Sequence, residues 1–500
     1  MSVPVPDTPV IDTRAGRVQG FWRGSSAAFY GIPYAAAPFR ENRFRSPRPH
    51  PGWTGVRPCP TPGATPQRRQ FAEVTAIPEP CVPGEETLNV NVFTPAPGDG
   101  GAGLPVFVWI HGGGFKAGSS PGAWYDGSSF NRHGVVVVSI SYRLGFDGFG
   151  WIADAPHNRG VRDQIAALEW VRDNIRGFGG NPARVTIGGQ SAGGASVRTL
   201  MAAPLARGLF QAAISQSGAL RACLLDDAER AGRRLAELAG VPCRVADLAL
   251  LEEDRILDLQ DEVERDTPHP HGLSEVVADL VATGGLSIPF RPYVDGDILP
   301  CPVEDAPRLG IETPVPLLAG STANEFTMAG PMFEPLVAGH GPADVADVIT
   351  AALGDAGGGW LTAYAQLAGG STALMGQLLT DHAFRIPLLP WANSRAAPTW
   401  LYDFRYVDPT TGLAPHCAEL PFAWDHLDAE RVEMSAGPNP PQSLADAMHG
   451  DWVRFLATHE LPWAPWDSKT CVGMTYAVPP LPGAAYALEA AVLAATARFG

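Results

Sequence analysis

The chain has 500 residues, of which 45% are hydrophobic and 18% charged, and its formal net charge at pH 7 is −16. This balance is typical of a soluble globular protein and excludes a disordered or fibrous one. The acidic excess argues against a nucleic-acid partner, which would require a basic face. No apolar run approaches the ~18 residues that a membrane span requires, so we expect no membrane insertion.

The N-terminus and the cysteines give a first indication of the compartment. The opening segment, "MSVPVPDTPVIDTRAG", has neither the basic nor the apolar region of a secretory signal, which favours the cytoplasm. The 7 cysteines are an odd number without metal-ligand spacing. Cys59 with Cys81, or Cys223 with Cys243, could pair in an oxidising compartment. In a cytosol they would stay reduced, and free thiols are our expectation.

The first half of the chain alternates predicted strands with predicted helices. Residues 104–110 and 134–140 are short apolar runs rich in β-branched residues, as expected of buried strands. Residues 161–175 place apolar side chains at spacings of three and four, which predicts a helix that "GFGGNP" ends. A further buried strand is predicted at 184–189. The alternation indicates βαβ units and a mainly parallel sheet.

The second half is predicted to continue this sheet and to add helical lobes. Further strands are predicted at 211–216, 313–320 and 398–406. Residues 226–240 form an amphipathic pattern with Gly240 as the C-terminal stop of a helix. The regions of about 245–285 and 328–395 have mainly helical patterns and are interpreted as lobes over the sheet. The proline-rich stretch 57–84 is interpreted as a surface loop, so residues 1–500 are predicted to form one domain.

The stretch "GGQSAGG", residues 188–194, crowds glycine around one serine directly after a predicted strand. It contains the pattern G-x-S-x-G, whose proper context is a strand before it and a helix after it. So tight a turn forces Ser191 into strained dihedral angles, and side chains at Gly189 and Gly193 would collide. The hydroxyl then stands at the end of the strand, beside the N–H groups of a helix. Ser191 is therefore predicted to be a nucleophile, the alternative being a glycine turn without chemistry.

A second glycine-rich turn, "HGGGFKAG", follows the strand predicted at 104–110. Glycines at this place allow backbone N–H groups to face inward, where each such donor stabilises an oxyanion by roughly 3–4 kcal/mol. The alternative is a loop of no chemical purpose. His111, at the start of the turn, is expected to orient the loop and not to act as a base.

With these two motifs the chain resembles the type-B carboxylesterases, of the carboxylesterase/cholinesterase family of α/β-hydrolases. The likeness runs nearly from end to end, with family segments in family order: "YGIPYAAAP", "NRFRSPRP", "LNVNVFTP", "HGGGF", "SYRLGFDGFG", "NRGVRDQIAALEWVRDNIRGFGGNPARVTIGGQSAGG" and "RGLFQAAISQSGA". The resemblance implies the α/β-hydrolase fold, a mostly parallel central sheet flanked by helices with helical cap or lobe insertions. It also implies a catalytic triad in the chain order serine, acid, histidine.

The resemblance selects one acid for this triad. The segment "VPLLAGSTANEF" is similar to the family stretch that delivers the triad glutamate, so Glu325 is the candidate. Phe326 stands where the family usually has glycine, which departs from the expected loop geometry. The residues alone would also allow Asp295, although its Asp-Gly sequence is more typical of a turn.

Six histidines follow Glu325, and composition does not choose among them. The segment "APHCAELPFAW" resembles the histidine loop of the family and selects His416. His426 and His449 are the alternatives.

These residues predict a serine hydrolase that cleaves carboxylic esters through an acyl-enzyme intermediate. His416 would take the proton of Ser191, and Glu325 would fix the imidazole. The oxyanion would be held by the N–H groups of Gly113, Gly114 and Ala192. No metal or organic cofactor is required, and the expected partner is a small-molecule ester. An acyltransferase, a cyclase, or a carbamate or amide hydrolase would use the same serine; a non-catalytic adhesion protein would have lost it.

Two places depart from the family pattern. Gln190 replaces the glutamate that usually precedes the serine, and Thr327, Met328 and Ala329 stand where cholinesterases carry aromatic residues. A quaternary ammonium favours carboxylates and aromatic faces. A neutral or anionic substrate is therefore expected in place of a choline ester. Thr87 occupies the position of a disulfide cysteine of secreted relatives, in agreement with a reducing compartment.

Overall fold

The computed structural model describes residues 8–66, 69–70, 75–218, 221, 223–266, 270–286 and 288–496. Parts of the N-terminal segment, of the proline-rich stretch and of the first lobe discussed above lie outside these described residues. The strands are β1 (Val10–Thr13), β2 (Gly16–Gln19), β3 (Phe21–Arg23), β4 (Ser26–Pro33), β5 (Val56–Pro58), β6 (Asn89–Thr94), β7 (Leu104–Ile110), β8 (Val136–Ile140), β9 (Gly180–Gln190), β10 (Ala212–Gln216), β11 (Leu317–Thr322), β12 (Thr399–Phe404), β13 (Val472–Tyr476) and β14 (Leu481–Ala484).

The α-helices of the described residues alternate with these strands in the first half of the chain and dominate the second. They are α1 (Ser128–Asn131), α2 (Gly145–Phe149), α3 (Arg159–Asn174), α4 (Ala192–Ala202), α5 (Leu225–Ala239), α6 (Val245–Leu248), α7 (Glu253–Asp266), α8 (Leu273–Thr283), α9 (Glu334–Val337), α10 (Pro342–Leu353), α11 (Gly357–Ala363), α12 (Gly370–Thr380), α13 (Ile386–Ser394), α14 (Leu420–Ala423), α15 (Glu433–Ala436), α16 (Gln442–Thr458) and α17 (Ala487–Thr496).

One large sheet organises the molecule. In the described residues it has 11 strands in the order β14-β13-β12-β11-β10-β9-β7-β8-β6-β4-β3. Neighbouring strands from β13 through β8 in that order are parallel. The strands beyond them at both edges are antiparallel. A separate small sheet has the order β1-β2-β5. This is the α/β-hydrolase architecture that the sequence predicts.

The side chains of the central strands alternate between two cores, one on each face of the sheet. On β7, Val106, Val108 and Ile110 belong to one core, whereas Phe107 and Trp109 belong to the other. This is the period of two that a pleated strand imposes. Because both faces are covered, the strand is apolar at nearly every position, which is why its sequence is a continuous apolar run.

The predicted elements correspond closely to the central observed ones. The run at 104–110 is β7, the helix predicted at 161–175 is α3, and α5 ends at Gly240 with φ 70°. Residues 313–320 are strand only from Leu317, because Pro314 and Pro316 before it have no N–H to donate.

The structure has further strands before residue 104 and after residue 406, where the sequence patterns identify none. Strands β1 to β6 lie before that point and β13 and β14 after it. Six of these eight strands are only three to five residues long, and their partly exposed faces interrupt the apolar run. The longer β4 and β6 are buried and were missed as well.

The two stretches predicted as lobes are helical in the described residues. The first contains α6 to α8 and the second α9 to α13. Val277 of α8, Ile349 of α10, Trp360 of α11 and Leu378 of α12 share one buried core. The lobes therefore pack on each other although about 50 residues of chain, including β11, separate them.

The cysteines carry free thiols. All seven cysteines lie in the described residues, and none of them forms a disulfide. Burial raises the pKa of the Cys59 thiol to about 11. In the described part of the chain, no helix combines the length and the apolar character that crossing a membrane requires.

A buried cluster of charges joins the second lobe to the sheet. Arg385 ends a single π-helical turn between α12 and α13 and is fully buried. It contacts Asp403 of β12 at 2.9 Å and Glu489 of α17 at 2.6 Å. It also donates to the carbonyl oxygen of Thr322, the last residue of β11, at 2.9 Å. One guanidinium thus connects the lobe, the sheet and the C-terminal helix.

Replacing this arginine is expected to destabilise the fold strongly. Arg385→Met leaves the Glu489 carboxylate buried without its cation and leaves Asp403 with only Arg405 as a partner, which lowers the free energy of unfolding by about 3–5 kcal/mol. Urea titration followed by tryptophan fluorescence measures the change. The control is Arg308→Met, whose pair with Asp305 is exposed and is worth at most about 1 kcal/mol. Equal losses in the two variants would contradict the role given to Arg385.

Candidate active site

Ser191 stands at the sharp turn between β9, which ends at Gln190, and α4, which begins at Ala192. Its backbone has φ 57° and ψ −125°, a strained region for a residue with a side chain. A Cβ added to Gly189 would lie 2.5 Å from the carbonyl oxygen of Gly193, and one added to Gly193 would lie 2.9 Å from the carbonyl oxygen of His111. The collision expected from the motif is therefore present, and glycine on both sides is what permits the turn.

The glycine loop that follows β7 lies against this serine. A Cβ added to Gly112 would be 3.1 Å from the Cβ of Ser191. Gly113 and Gly114 have φ of 110° and 60°, which favour glycine, and both are partly exposed. Within the described residues, neither of their N–H groups donates to a protein acceptor. The N–H of Ala192 has no partner inside its helix because it is the first residue of α4.

His111 lies behind this loop and not in the site. Its ring stacks on Tyr142 with centroids 4.7 Å apart, and its Nδ1 contacts the carbonyl oxygen of Gly112 at 2.8 Å. Complete burial lowers the pKa of His111 to about 4. A neutral His111 ring in contact with the Gly112 carbonyl is consistent with a role in orienting the glycine loop.

Glu325 and His416 form a direct pair. Glu325 follows β11, is fully buried, and its Oε2 contacts Nδ1 of His416. Its Oε1 accepts hydrogen bonds from the Ser217 hydroxyl at 2.5 Å and from the Thr322 N–H at 2.8 Å. The backbone N–H of His416 also donates to the Glu325 carbonyl oxygen at 3.0 Å. Because a carboxylate only accepts, Nδ1 is the protonated nitrogen of the neutral ring.

The other ring nitrogen of His416 faces the serine turn. Nε2 lies 3.1 Å from the side-chain nitrogen of Gln190, the residue that precedes Ser191. Among the described residues, no hydrogen bond joins the His416 ring to the Ser191 hydroxyl. The structure thus brings Ser191, Glu325 and His416 to one place, with the Gln190 amide as the partner of Nε2.

The electrostatic surroundings of His416 favour its charged form. Burial opposes a charge on the ring, but Cys417 and the Glu325 carboxylate outweigh it, and the pKa of His416 is raised well above its usual value. Nearby, Glu419 is also buried. Burial and the charge of Glu325 raise the pKa of Glu419 to about 7, and its Oε1 accepts a hydrogen bond from Gln216 at 3.2 Å.

Two phenylalanine rings flank the imidazole. The centroids of Phe326 and Phe384 lie 5.0 Å and 5.3 Å from that of His416, and the two rings stack on each other. Phe326 has φ −122°, so the position where the family usually has glycine does not require glycine in this chain. Phe384 comes from the π-helical turn of the second lobe.

Several of these neighbours escape the sequence analysis. Ser217 follows β10, and the rule that functional side chains gather at the carboxyl ends of parallel strands could have indicated it. Glu419 belongs to the segment that identified the histidine loop, although its proximity to Glu325 was not predicted. Phe384 carries no such local signal, because only the packing of the lobe brings it to the ring.

The alternative acid and bases lie in other surroundings. Asp295 accepts hydrogen bonds from within its own turn and from Asn158 at 2.8 Å. His426 contacts a backbone carbonyl at 2.7 Å beside a polar surface groove. His449 is buried on α16, where burial lowers its pKa to about 4. In the described part of the chain none of the three contacts Glu325 or His416.

Known proteins are similar to this chain in sequence. The sequence profile described as "Carboxylesterase family" matches residues 7–341. The para-nitrobenzyl esterase of Bacillus subtilis is 32% identical over 463 residues, which cover 90% of each chain. The Fumonisin B1 esterase of Sphingopyxis macrogoltabida is 32% identical over 480 residues, which cover 90% of this chain and 82% of that protein.

Solved structures give the same result. The crystal structure of a carboxylesterase from Geobacillus stearothermophilus matches with a TM-score of 0.80 at 30% identity, and the match covers 97% of this chain and 100% of the other. The chain therefore belongs to the carboxylesterase family, as a carboxylic ester hydrolase with the α/β-hydrolase fold.

Proposed function

We propose that this hydrolase acts on small-molecule esters through an acyl-enzyme on Ser191, with His416 as the base, Glu325 as its partner and water as the final acceptor. The observation that carries the proposal is the convergence of a strained serine, a glycine loop with unused N–H groups and a carboxylate–imidazole pair. Each of these is a required part of serine acyl transfer.

The first step is attack of the Ser191 oxygen on the ester carbonyl. The proton of the hydroxyl passes to Nε2 of His416, which carries a lone pair because Nδ1 holds the ring proton toward Glu325. The resulting imidazolium is stabilised by the Glu325 carboxylate, which the Ser217 and Thr322 hydrogen bonds hold in place.

The negative charge that develops on the carbonyl oxygen needs donors. The N–H groups of Gly113 and Gly114, with that of Ala192 at the N-terminus of α4, are the proposed donors. The positive φ angles of Gly113 and Gly114 support this role, because a residue with a side chain would be strained at either position.

The second half of the cycle restores the enzyme. The imidazolium gives its proton to the leaving alcohol as the carbon–oxygen bond breaks, which leaves the acyl group on Ser191. His416 then removes a proton from water, the hydroxide attacks the acyl carbon, and the proton returns to Ser191 as the carboxylic acid leaves. An acyltransferase, cyclase, or carbamate or amide hydrolase would share the first half and differ in the acceptor or the leaving group.

Removing the nucleophile is expected to abolish turnover. Ser191→Ala should lower kcat for p-nitrophenyl esters on the order of 10⁴- to 10⁶-fold, because no acyl-enzyme can form. The matched control is Ser196→Ala on the same helix, which loses a hydroxyl that bonds the carbonyl of Ala192 and should keep its turnover. Intact-protein mass spectrometry after a fluorophosphonate probe should show a single adduct that Ser191→Ala lacks. An adduct on that variant would refute the assignment.

Product analysis separates hydrolysis from transfer to another acceptor. A p-nitrophenyl ester turned over in the presence of about 10 mM of a primary alcohol should yield mainly the free carboxylic acid, because water is the proposed acceptor. Chromatography of the acyl products measures the ratio. A majority of the new ester at this alcohol concentration would favour the acyltransferase.

The pH dependence should report the raised pKa of His416. The base must be neutral, so activity is lost as the pH falls through this pKa, and the acid limb of kcat/KM should lie above about pH 6.5, the usual histidine value. Glu325→Gln removes the carboxylate charge, which should move the limb to lower pH and reduce kcat on the order of 10⁴-fold. Stopped-flow assays from pH 5 to 9 measure both. A wild-type limb at or below pH 6.5 would contradict the assignment.

A further inference from the structure

The contact between Gln190 and His416 has a chemical consequence of its own. The side-chain Nε2 of Gln190 lies 3.1 Å from Nε2 of His416. Gln190 is the last residue of β9 and is paired in register with Gln216 of β10, and its side chain is 1% exposed. Its backbone is therefore fixed by the sheet, and its side chain has little freedom to turn into solvent.

An amide nitrogen donates hydrogen bonds and does not accept them. The contact is a hydrogen bond only when Nε2 of His416 carries a lone pair, whereas a proton on Nε2 would face the N–H groups of Gln190. On the other side of the ring, Glu325 accepts the Nδ1 proton. Glu325 thus fixes the proton on Nδ1, and the Gln190 donor is the contact that favours the neutral ring over the imidazolium.

The structure assigns to Gln190 the role of a positioning residue that holds His416 as the neutral base and thereby sets the acid limb of the pH profile. This inference rests on the proposed roles of Ser191 and His416. A glutamate at this position, as the family pattern has, would act in the opposite sense, since a carboxylate accepts from the protonated Nε2 and stabilises the imidazolium.

The other titratable groups around the ring oppose Gln190. Glu325 faces Nδ1 from the loop after β11, and Cys417 and Glu419 approach from the histidine loop itself. The π-helical turn contributes only the uncharged ring of Phe384, which lies beside Phe326. Within the described residues, the Gln190 amide is the one polar contact of the ring that favours the uncharged form.

Catalysis needs the same lone pair that Gln190 occupies. Nε2 must accept the proton of Ser191, so the amide has to release the ring when the hydroxyl engages it. The contact therefore acts on the free enzyme, and the pH profile of kcat/KM, which reports the free enzyme, is the appropriate measurement.

The test compares two substitutions that change the donor in different ways. Gln190→Glu replaces the donor with a carboxylate and should move the acid limb of kcat/KM upward by about one pH unit or more. Gln190→Met keeps the length without any donor and should move the limb upward by less. The matched control is Gln366→Glu, which adds the same charge at an exposed position and should leave the limb in place. The substrate is a neutral p-nitrophenyl ester, assayed from pH 5 to 9.

Two outcomes would overturn the inference. A limb that moves to lower pH in Gln190→Met would mean that the amide oxygen stabilises the imidazolium, and an unmoved limb in Gln190→Glu would mean that the contact has no influence on the ring. Ser191→Ala, assayed in parallel, separates this failure from failure of the proposed mechanism. If Ser191→Ala is inactive and the Gln190 variants leave the limb unchanged, only the role of Gln190 is wrong.

Discussion

The close approach of two glycines at the end of β9 is the constraint on which the site depends. Gly189 and Gly193 face each other across the serine turn, and Gly193 also lies against the backbone of Ile110 and His111 at the end of β7. No side chain fits at either glycine without displacing backbone atoms. The same contact therefore fixes the strained serine, the start of α4 and the position of the glycine loop. Strain at Ser191 persists because the parallel strands on both sides over-determine it.

The other residues of the site come later in the chain and lie at the same edge of the sheet. Ser191, Ser217 and Glu325 follow three adjacent parallel strands, β9, β10 and β11, at their carboxyl ends, where ligands bind in open α/β sheets. The buried guanidinium of Arg385 supports this edge through the Thr322 carbonyl, and the N–H of Thr322 in turn holds Glu325. The backbone of Thr322 thus contacts both the buried charge cluster and Glu325.

The sequence predicts features that depend on neighbouring residues, and it leaves open those that depend on contacts between distant parts of the chain. The strand at 104–110 and the helix at 161–175 are identified because periodicity and burial are local properties, whereas the edge strands before residue 104 lack a continuous apolar run. The serine and glycine turns are equally local, since they depend on sterics within a few residues. The pairing of Glu325 with His416 joins positions 91 residues apart, so the residues alone left several histidines open and only the family resemblance chose. The approach of Phe384 and of the Gln190 amide to the ring is set by tertiary packing and has no counterpart in any short pattern.

In the proposed cycle, the balance of charges at His416 would allow one ring to serve in both halves. A general base works best when its pKa lies near the working pH, because it must be free to accept a proton and still be able to return it. Cys417 and Glu325 favour the imidazolium, and burial together with the Gln190 donor favours the neutral ring. With a glutamate in place of Gln190, a further carboxylate would strengthen the charged form and attract cationic substrates to the same point. The glutamine instead adds no negative charge beside Ser191, so on the proposed roles this one amide would favour both a neutral His416 and a substrate without positive charge.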